Sequence, residues 1–251
     1  VHHRLRCLFS TVGESIRNVF IEDNGALVMF SLEHMAMVFT VTVLTVLLPW
    51  YARRRLDAGQ QLKLGRGIAV VISASVVLWT VVALGVGHYD WTEDLPIHLC
   101  IILGLTLPLF AWKPSLRTHE VLYYWVLSGT LQANFTPRLY ESFPHYDFLY
   151  YWVVHGGLLV YAIYVTVTQR LYPTKKGVMR AFVWLNIYAA VVFICNILMN
   201  SNYMYLMHKP DTGSLLDFFG PWPWYILVTE GVGLVLFLLC YLPFFYLKRG
   251  G

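Results

Sequence analysis

Seven long runs of apolar residues, at about residues 26–50, 67–86, 95–112, 120–136, 147–167, 181–205 and 222–247, alternate along the chain with short polar segments. A helical bilayer crossing takes roughly 20 mostly apolar residues, because in hydrocarbon every backbone amide and carbonyl must be paired within its own segment. The connectors hold residues that stop helices: Arg53-Arg54-Arg55, Lys113-Pro114-Ser115, Pro137-Arg138, Pro173-Thr174-Lys175-Lys176 and Lys209-Pro210-Asp211-Thr212-Gly213. No soluble domain fits between the runs. The pattern predicts an all-α polytopic membrane protein whose residues 26–251 form one domain of seven transmembrane helices.

Ahead of the first run, Leu5, Leu8, Phe9, Val12, Ile16, Val19 and Phe20 recur at helical spacing, with Arg6, Ser10, Glu14 and Arg17 between them. This predicts an amphipathic helix lying on the membrane surface over residues 4–21, and an interfacial N-terminal segment over 1–25. A docked helix or a tail is the alternative. The first apolar run starts too far along, and is too long, for a cleavable signal peptide.

Composition agrees with the pattern: 58% of residues are hydrophobic and 13% charged, against about 25% charged in a soluble domain. Charge then sets the topology. Thirteen of the eighteen Lys and Arg fall in the loops after runs one, three and five and in the C-terminal tail. The excess of basic residues on cytoplasmic loops puts the N-terminus outside and the C-terminus in the cytosol. The formal charge of +4 is thus loop charge, and no nucleic-acid partner is expected. Trp91, Tyr140, Trp222 and Trp224 sit at the outer ends, where an interfacial belt belongs. Cys7, Cys100, Cys195 and Cys240 have neither a disulfide-framework spacing nor a metal spacing, so no metal or cofactor is expected. A retinal protein is disfavoured because run seven holds no lysine, the first being Lys248 just past its cytosolic end. The absence of an evident internal repeat weighs against an inverted-repeat transporter.

Ionisable groups within hydrocarbon are costly and mark functional sites by default. Counting roughly 1.5 Å per residue from the outer boundary places Glu33, His34, Cys100, His155 and Glu230 about 7 to 13 Å deep. Gln132, Asn134, Asn196 and Asn200 reach a similar level from outward-running helices. Two acids are too few to trace an ion path through the barer inner half. Each residue also has a structural reading, as a polar side chain bonding a neighbouring helix or, for Cys100, as a small core residue. His98 is two residues from Cys100, about 200° around a helix, so it lines the same cavity mouth without touching the thiol. His155 lies at matched depth, and Gly156-Gly157 beside it permits close packing. Sequence alone does not say that helices three and five meet.

The segments Leu95-Pro96-Ile97-His98-Leu99-Cys100, Ser128-Gly129-Thr130-Leu131-Gln132-Ala133 with Thr136-Pro137, Phe143-Pro144-His145 with His155-Gly156, Asn202-Tyr203-Met204-Tyr205-Leu206, and Gly220-Pro221-Trp222-Pro223-Trp224-Tyr225 resemble the bacterial YwaF-like integral membrane proteins. That group looks like a relative of the transmembrane protein 164 family, acyltransferases that place polyunsaturated chains on lysophospholipids without acyl-CoA. The resemblance implies that a cysteine on helix three and a histidine on helix five, here Cys100 and His155, form a catalytic pair. The expected function is a membrane-embedded, cysteine-dependent acyltransferase or lipid hydrolase with phospholipid and lysophospholipid as partners, working in a bacterial cell membrane. His34, Gln132 and Asn200 are candidate oxyanion donors, and Glu230 a candidate to orient a histidine. The rival is a non-enzymatic seven-helix lipid carrier or receptor.

Overall fold

A computed structural model describes residues 25–87, 89–137, 139–210 and 214–249, and among these every regular element is helical. The helices are α1 (Leu32–Arg55), α2 (Ala58–Val86), α3 (Leu99–Trp112), α4, α5 (Tyr146–Thr168), α6 (Lys175–Met199) and α7 (Trp224–Arg249). Helix α4 has three parts, an α-helix at Leu116–Trp125, a π-helical turn at Val126–Thr130 and a last α-helical turn at Leu131–Phe135. The amphipathic segment expected over residues 4–21 lies outside the described residues.

Five helices, α1, α2, α5, α6 and α7, are long and apolar enough to cross a membrane, and the chain is a multi-pass integral membrane protein. Of the seven transmembrane helices expected, these five have the length and apolarity of a full crossing among the described residues. Helix α3 has 14 residues, or roughly 21 Å at 1.5 Å per residue, short of a hydrocarbon core of about 30 Å. Its apolar run is longer than its helix because Leu95, Pro96 and Ile97 form a turn, with the Ile97 amide donating to the Leu95 carbonyl at 2.6 Å. Helix α4 is interrupted by its π turn.

Capping residues set the helix starts ahead of the apolar runs. Asp57 caps α2 in a reciprocal box with Gln60, so that helix begins nine residues before the apolar run at 67. Ser115 and Thr174 cap α4 and α6 without the reciprocal bond, each accepting from a backbone amide three residues on.

Helix α5 is the axis of the fold. Of its most apolar stretch 61% is buried, against 11% to 22% for the other four long helices. It packs against α1, α2, α3 and α4, while α6 lies on α4 and α7. The close approach at Gly156 and Gly157 is to α1 and α2: a methyl group on Gly156 would sit 2.5 Å from Val41 and one on Gly157 2.9 Å from Ile72. The outward faces of α1, α6 and α7 carry exposed Phe39, Val46, Leu47, Ile194, Leu198, Leu227 and Val235, the surface that hydrocarbon covers.

At the basic end, Glu120 of α4 is almost fully buried and pairs with Arg180 of α6. Its Oε1 also accepts from the Thr174 amide at 2.9 Å and from the Thr174 hydroxyl at 2.5 Å. Gly177, one turn into α6, leaves the space this carboxylate fills, since a Cβ there would overlap the Glu120 side chain. The charge is therefore a structural tie between the starts of α4 and α6.

Candidate functional site

Cys100 is the second residue of α3, whose N-cap is His98 with no side-chain bond to the helix. Among the described residues the Leu99, Cys100 and Ile101 amides have no hydrogen-bond acceptor. The thiol thus sits in the first turn, where free N–H groups and the aligned peptide dipoles favour negative charge. Reading the helix from Leu95 hides this, because it places Cys100 past that turn.

Two clamps hold the segment that leads into Cys100. The buried Tyr203 hydroxyl donates to the Trp91 carbonyl at 2.9 Å and accepts from the Leu95 amide at 3.0 Å. Tyr188 on α6 donates to the Ile97 carbonyl at 2.6 Å. Tyr203 is itself fixed by Asn196, which donates to its carbonyl at 2.9 Å and accepts from its amide at 2.8 Å. Burial, ahead of the neighbouring Tyr89, Asp94 and Asp90, pushes the Tyr203 hydroxyl up to about 12, so it stays a proton donor across the working range. Tyr203→Phe removes both hydroxyl bonds. It is expected to lower stability by about 1 to 3 kcal/mol, read as a fall of a few degrees in the thermal midpoint in detergent, and an unchanged midpoint contradicts the clamp.

The Cys100 sulfur lies 3.5 Å from the Thr130 hydroxyl, and Thr130 is fully buried. Thr130 is the last residue of the π turn in α4. Such a turn shifts the side chains that follow it and recurs at functional sites. In the sequence Thr130 carries no mark beyond its place in the 128–133 motif, and no side-chain periodicity announces a π turn.

His155 lies half-buried on α5. Its Nδ1 is 3.0 Å from the Tyr151 carbonyl. A carbonyl only accepts, so Nδ1 carries the proton and Nε2 presents its lone pair. Nε2 has no hydrogen-bond partner among the described residues. The ring stacks on Tyr151 at 4.1 Å between centroids, and the Tyr151 hydroxyl donates to the Ala133 carbonyl at the end of α4 at 2.7 Å.

Cys100 and His155 therefore both lie against the same turn of α4, one through Thr130 and the other through Tyr151 and Ala133. Helices α3 and α5 meet directly, with Val154 3.5 Å from a methyl group placed on Gly104, one turn after Cys100. No hydrogen bond joins the thiol to the imidazole. The resting thiol bonds Thr130 instead. Tyr150, one residue before Tyr151, stacks on Trp79 at 5.4 Å between ring centroids. The His98 ring meets the edge of Tyr203 at 5.1 Å.

None of the remaining expected site residues hydrogen-bonds to Cys100 or His155 among the described residues. His34 is buried, donating from Nε2 to the Asn134 carbonyl at 3.0 Å and accepting at Nδ1 from the Phe30 amide at 2.9 Å. Nε2 thereby joins α1 to α4, and Nδ1 holds the turn that leads into α1. Gln132 is exposed, about half a turn around α4 from Thr130. Asn200 is exposed and ends α6 in the left-handed conformation, φ 53°. Glu230 is half-buried on α7 and makes no hydrogen bond or ion pair among the described residues. No group of three or more His, Cys, Asp or Glu among the described residues has the geometry to hold a metal ion.

No curated protein and no solved structure matches the chain. The TMEM164 family does match, over residues 29–241. That span takes in every element of the site from the Cys100 turn to the Tyr203 clamp, and the chain belongs to the TMEM164 family.

Proposed function

We propose that this protein is a membrane-embedded acyltransferase that moves acyl chains between phospholipids through a thioester on Cys100. The carrying observation is a thiol in the first turn of a helix, against a buried hydroxyl, with a histidine base on the adjoining helix whose Nε2 is unpaired. A cysteine nucleophile needs a proton acceptor, a field that favours the thiolate, and donors for the developing oxyanion. Each has a counterpart here.

In the first half-reaction His155 Nε2 accepts the thiol proton and Cys100 Sγ attacks the ester carbonyl of a donor phospholipid. The carbonyl oxygen gains negative charge beside the amides of the α3 first turn. The Sγ–C bond remains as the ester C–O bond breaks, and the imidazolium returns its proton to the departing alkoxide, releasing lysophospholipid. In the second half-reaction His155 takes the proton of an acceptor lysophospholipid hydroxyl, which attacks the thioester carbonyl. Collapse breaks the C–S bond and leaves the acyl chain on the acceptor, and the imidazolium returns its proton to the Cys100 thiolate to restore the thiol. Thr130 donates to the sulfur while it is charged. The bond between Nδ1 and the Tyr151 carbonyl keeps Nε2 as the base throughout.

The topology we propose puts the basic end of the bundle in the cytosol, with seven passages of the membrane including the short α3 and the broken α4. The site then opens within the outer leaflet. We read the chain as a YwaF-like member from a bacterial cell membrane, on the motifs that flank Cys100 and Tyr203.

Reconstitution in liposomes tests the reaction. With a donor phospholipid carrying a labelled acyl chain, a lysophospholipid acceptor and no acyl-CoA, label is expected in the acceptor. Label released as free fatty acid instead identifies water as the acceptor and the protein as a hydrolase. No turnover across a broad panel of donors, with lipid retained on the purified protein, favours the carrier.

A further inference from the structure

We infer that residues 214–224, which lead into α7, form an interfacial element that beds in the lipid leaflet at the Cys100 end of the bundle. This seat in the membrane is independent of the proposed reaction.

Asp217 is the one charged residue between Ser214 and Trp224. Its carboxylate is turned back on the segment, where Oδ2 accepts from the Ser214 amide at 2.7 Å. Around it Leu215–Phe219 winds into a short 3-10 helix. That helix leaves Leu215 58% and Phe218 85% exposed, and beyond it Trp222 and Trp224 are 52% and 62% exposed. Apolar side chains gathered in this way are costly to leave in water and mark a surface that is covered in use.

The fold sets this patch at the membrane boundary. Lys248 marks the far end of α7, and a hydrocarbon core of about 30 Å takes roughly 20 helical residues counted back from there, to about Val228. The first turn of α7, from Trp224 to Leu227, therefore lies in the interfacial zone. Gly220 takes φ 86°, which side chains rarely adopt, and turns the chain. The 3-10 helix packs against α7, and the short link from Phe219 to Trp224 keeps it beside the start of that helix. Exposure runs on from Trp224 into Leu227 and Val228 of α7, part of the surface that hydrocarbon covers. Depth and continuity with α7 make lipid the cover.

The inner side of the segment identifies the leaflet. The Trp222 indole donates to the Leu206 carbonyl at 3.1 Å, and the Tyr225 hydroxyl donates to the Tyr205 carbonyl. Tyr205 and Leu206 closely follow Tyr203, whose hydroxyl clamps Trp91 and Leu95. The segment is thus fixed to the stretch that leads into Cys100. An indole with its N–H on a protein carbonyl and its ring in lipid suits the headgroup boundary, where the apolar faces of interfacial segments sink about 5 to 10 Å.

Cysteine labelling of the full chain in unsealed membranes provides the test, read peptide by peptide by mass spectrometry so that the native cysteines do not interfere. With a charged maleimide, Leu215→Cys and Phe218→Cys are each expected to react at least about tenfold more slowly than Glu93→Cys, because the thiolate is the reactive form and hydrocarbon suppresses it. Glu93 is exposed in the loop ahead of Leu95, at the same end of the bundle. All three are exposed side chains, so the fold should accept the changes. Unfolding in dodecyl sulfate and urea should bring the three rates together. Equal rates in the membrane, or rates that stay apart after unfolding, overturn the inference. Phe218→p-benzoylphenylalanine identifies the cover: irradiation in liposomes should add the mass of a phospholipid to its peptide, whereas a crosslink to a second copy of the chain overturns the assignment to lipid.

Discussion

Cys100→Ala is expected to abolish acyl transfer in liposomes while the protein still folds, because one small half-buried side chain replaces another and the sulfur's one hydrogen bond, at 3.5 Å to Thr130, is weak. Cys100→Ser should fail as well, since a hydroxyl is far less ionised than a thiol near neutral pH and the first turn of α3 has little anion to stabilise. His155→Ala should lower the rate by roughly 10²- to 10⁴-fold, the usual cost of losing a general base. Its other bond is to its own helix, at the Tyr151 carbonyl, so the fold should tolerate the loss. Initial rates of donor consumption, with thermal midpoints measured in parallel, separate lost chemistry from lost structure. Full activity in either alanine variant would exclude that residue from the mechanism.

The second large effect concerns the fold. Removing one partner of a buried ion pair typically costs about 3 to 5 kcal/mol, because the other is left without its counter-charge. Glu120→Ala is expected at the lower end of that range, since the Arg180 side chain is 31% exposed and can reach water. It also strips the acceptor from the Thr174 amide and hydroxyl at the start of α6. The double variant Glu120→Ala with Arg180→Ala should recover part of the loss. Equilibrium unfolding in mixed micelles measures both, and a Glu120→Ala protein as stable as the parent would show that the tie carries no net stability.

No sequence spacing announces that tie, although Glu120 stands at the edge of the fourth apolar run. Depth along a helix can be counted from spacing, but azimuth cannot. The count therefore set His34 and Cys100 in the same layer, while packing turned His34 toward Asn134 and left its ring no free nitrogen. Apolar runs located the helices and capping residues moved their ends: Asp57 with Gln60 starts α2 well ahead of its hydrophobic stretch. The turn at Leu95 to Ile97 had the opposite effect at α3, shortening it so that Cys100 falls in the first turn. Thr130 depends on a π turn, which follows from tertiary packing of α4 against α5 and α7. The pairing of α3 with α5 likewise rests on contacts far apart in the chain, such as Gly104 with Val154.

A covalent intermediate is the central claim, and peptide mass spectrometry of the protein trapped with a donor phospholipid and no acceptor tests it most directly. The account predicts that the peptide containing Cys100 gains the mass of one acyl chain, that neutral hydroxylamine removes it, and that adding lysophospholipid discharges it into phospholipid product. Transfer proceeding while Cys100 stays unmodified, or an acyl group found on Cys195 or Cys240 instead, would contradict it.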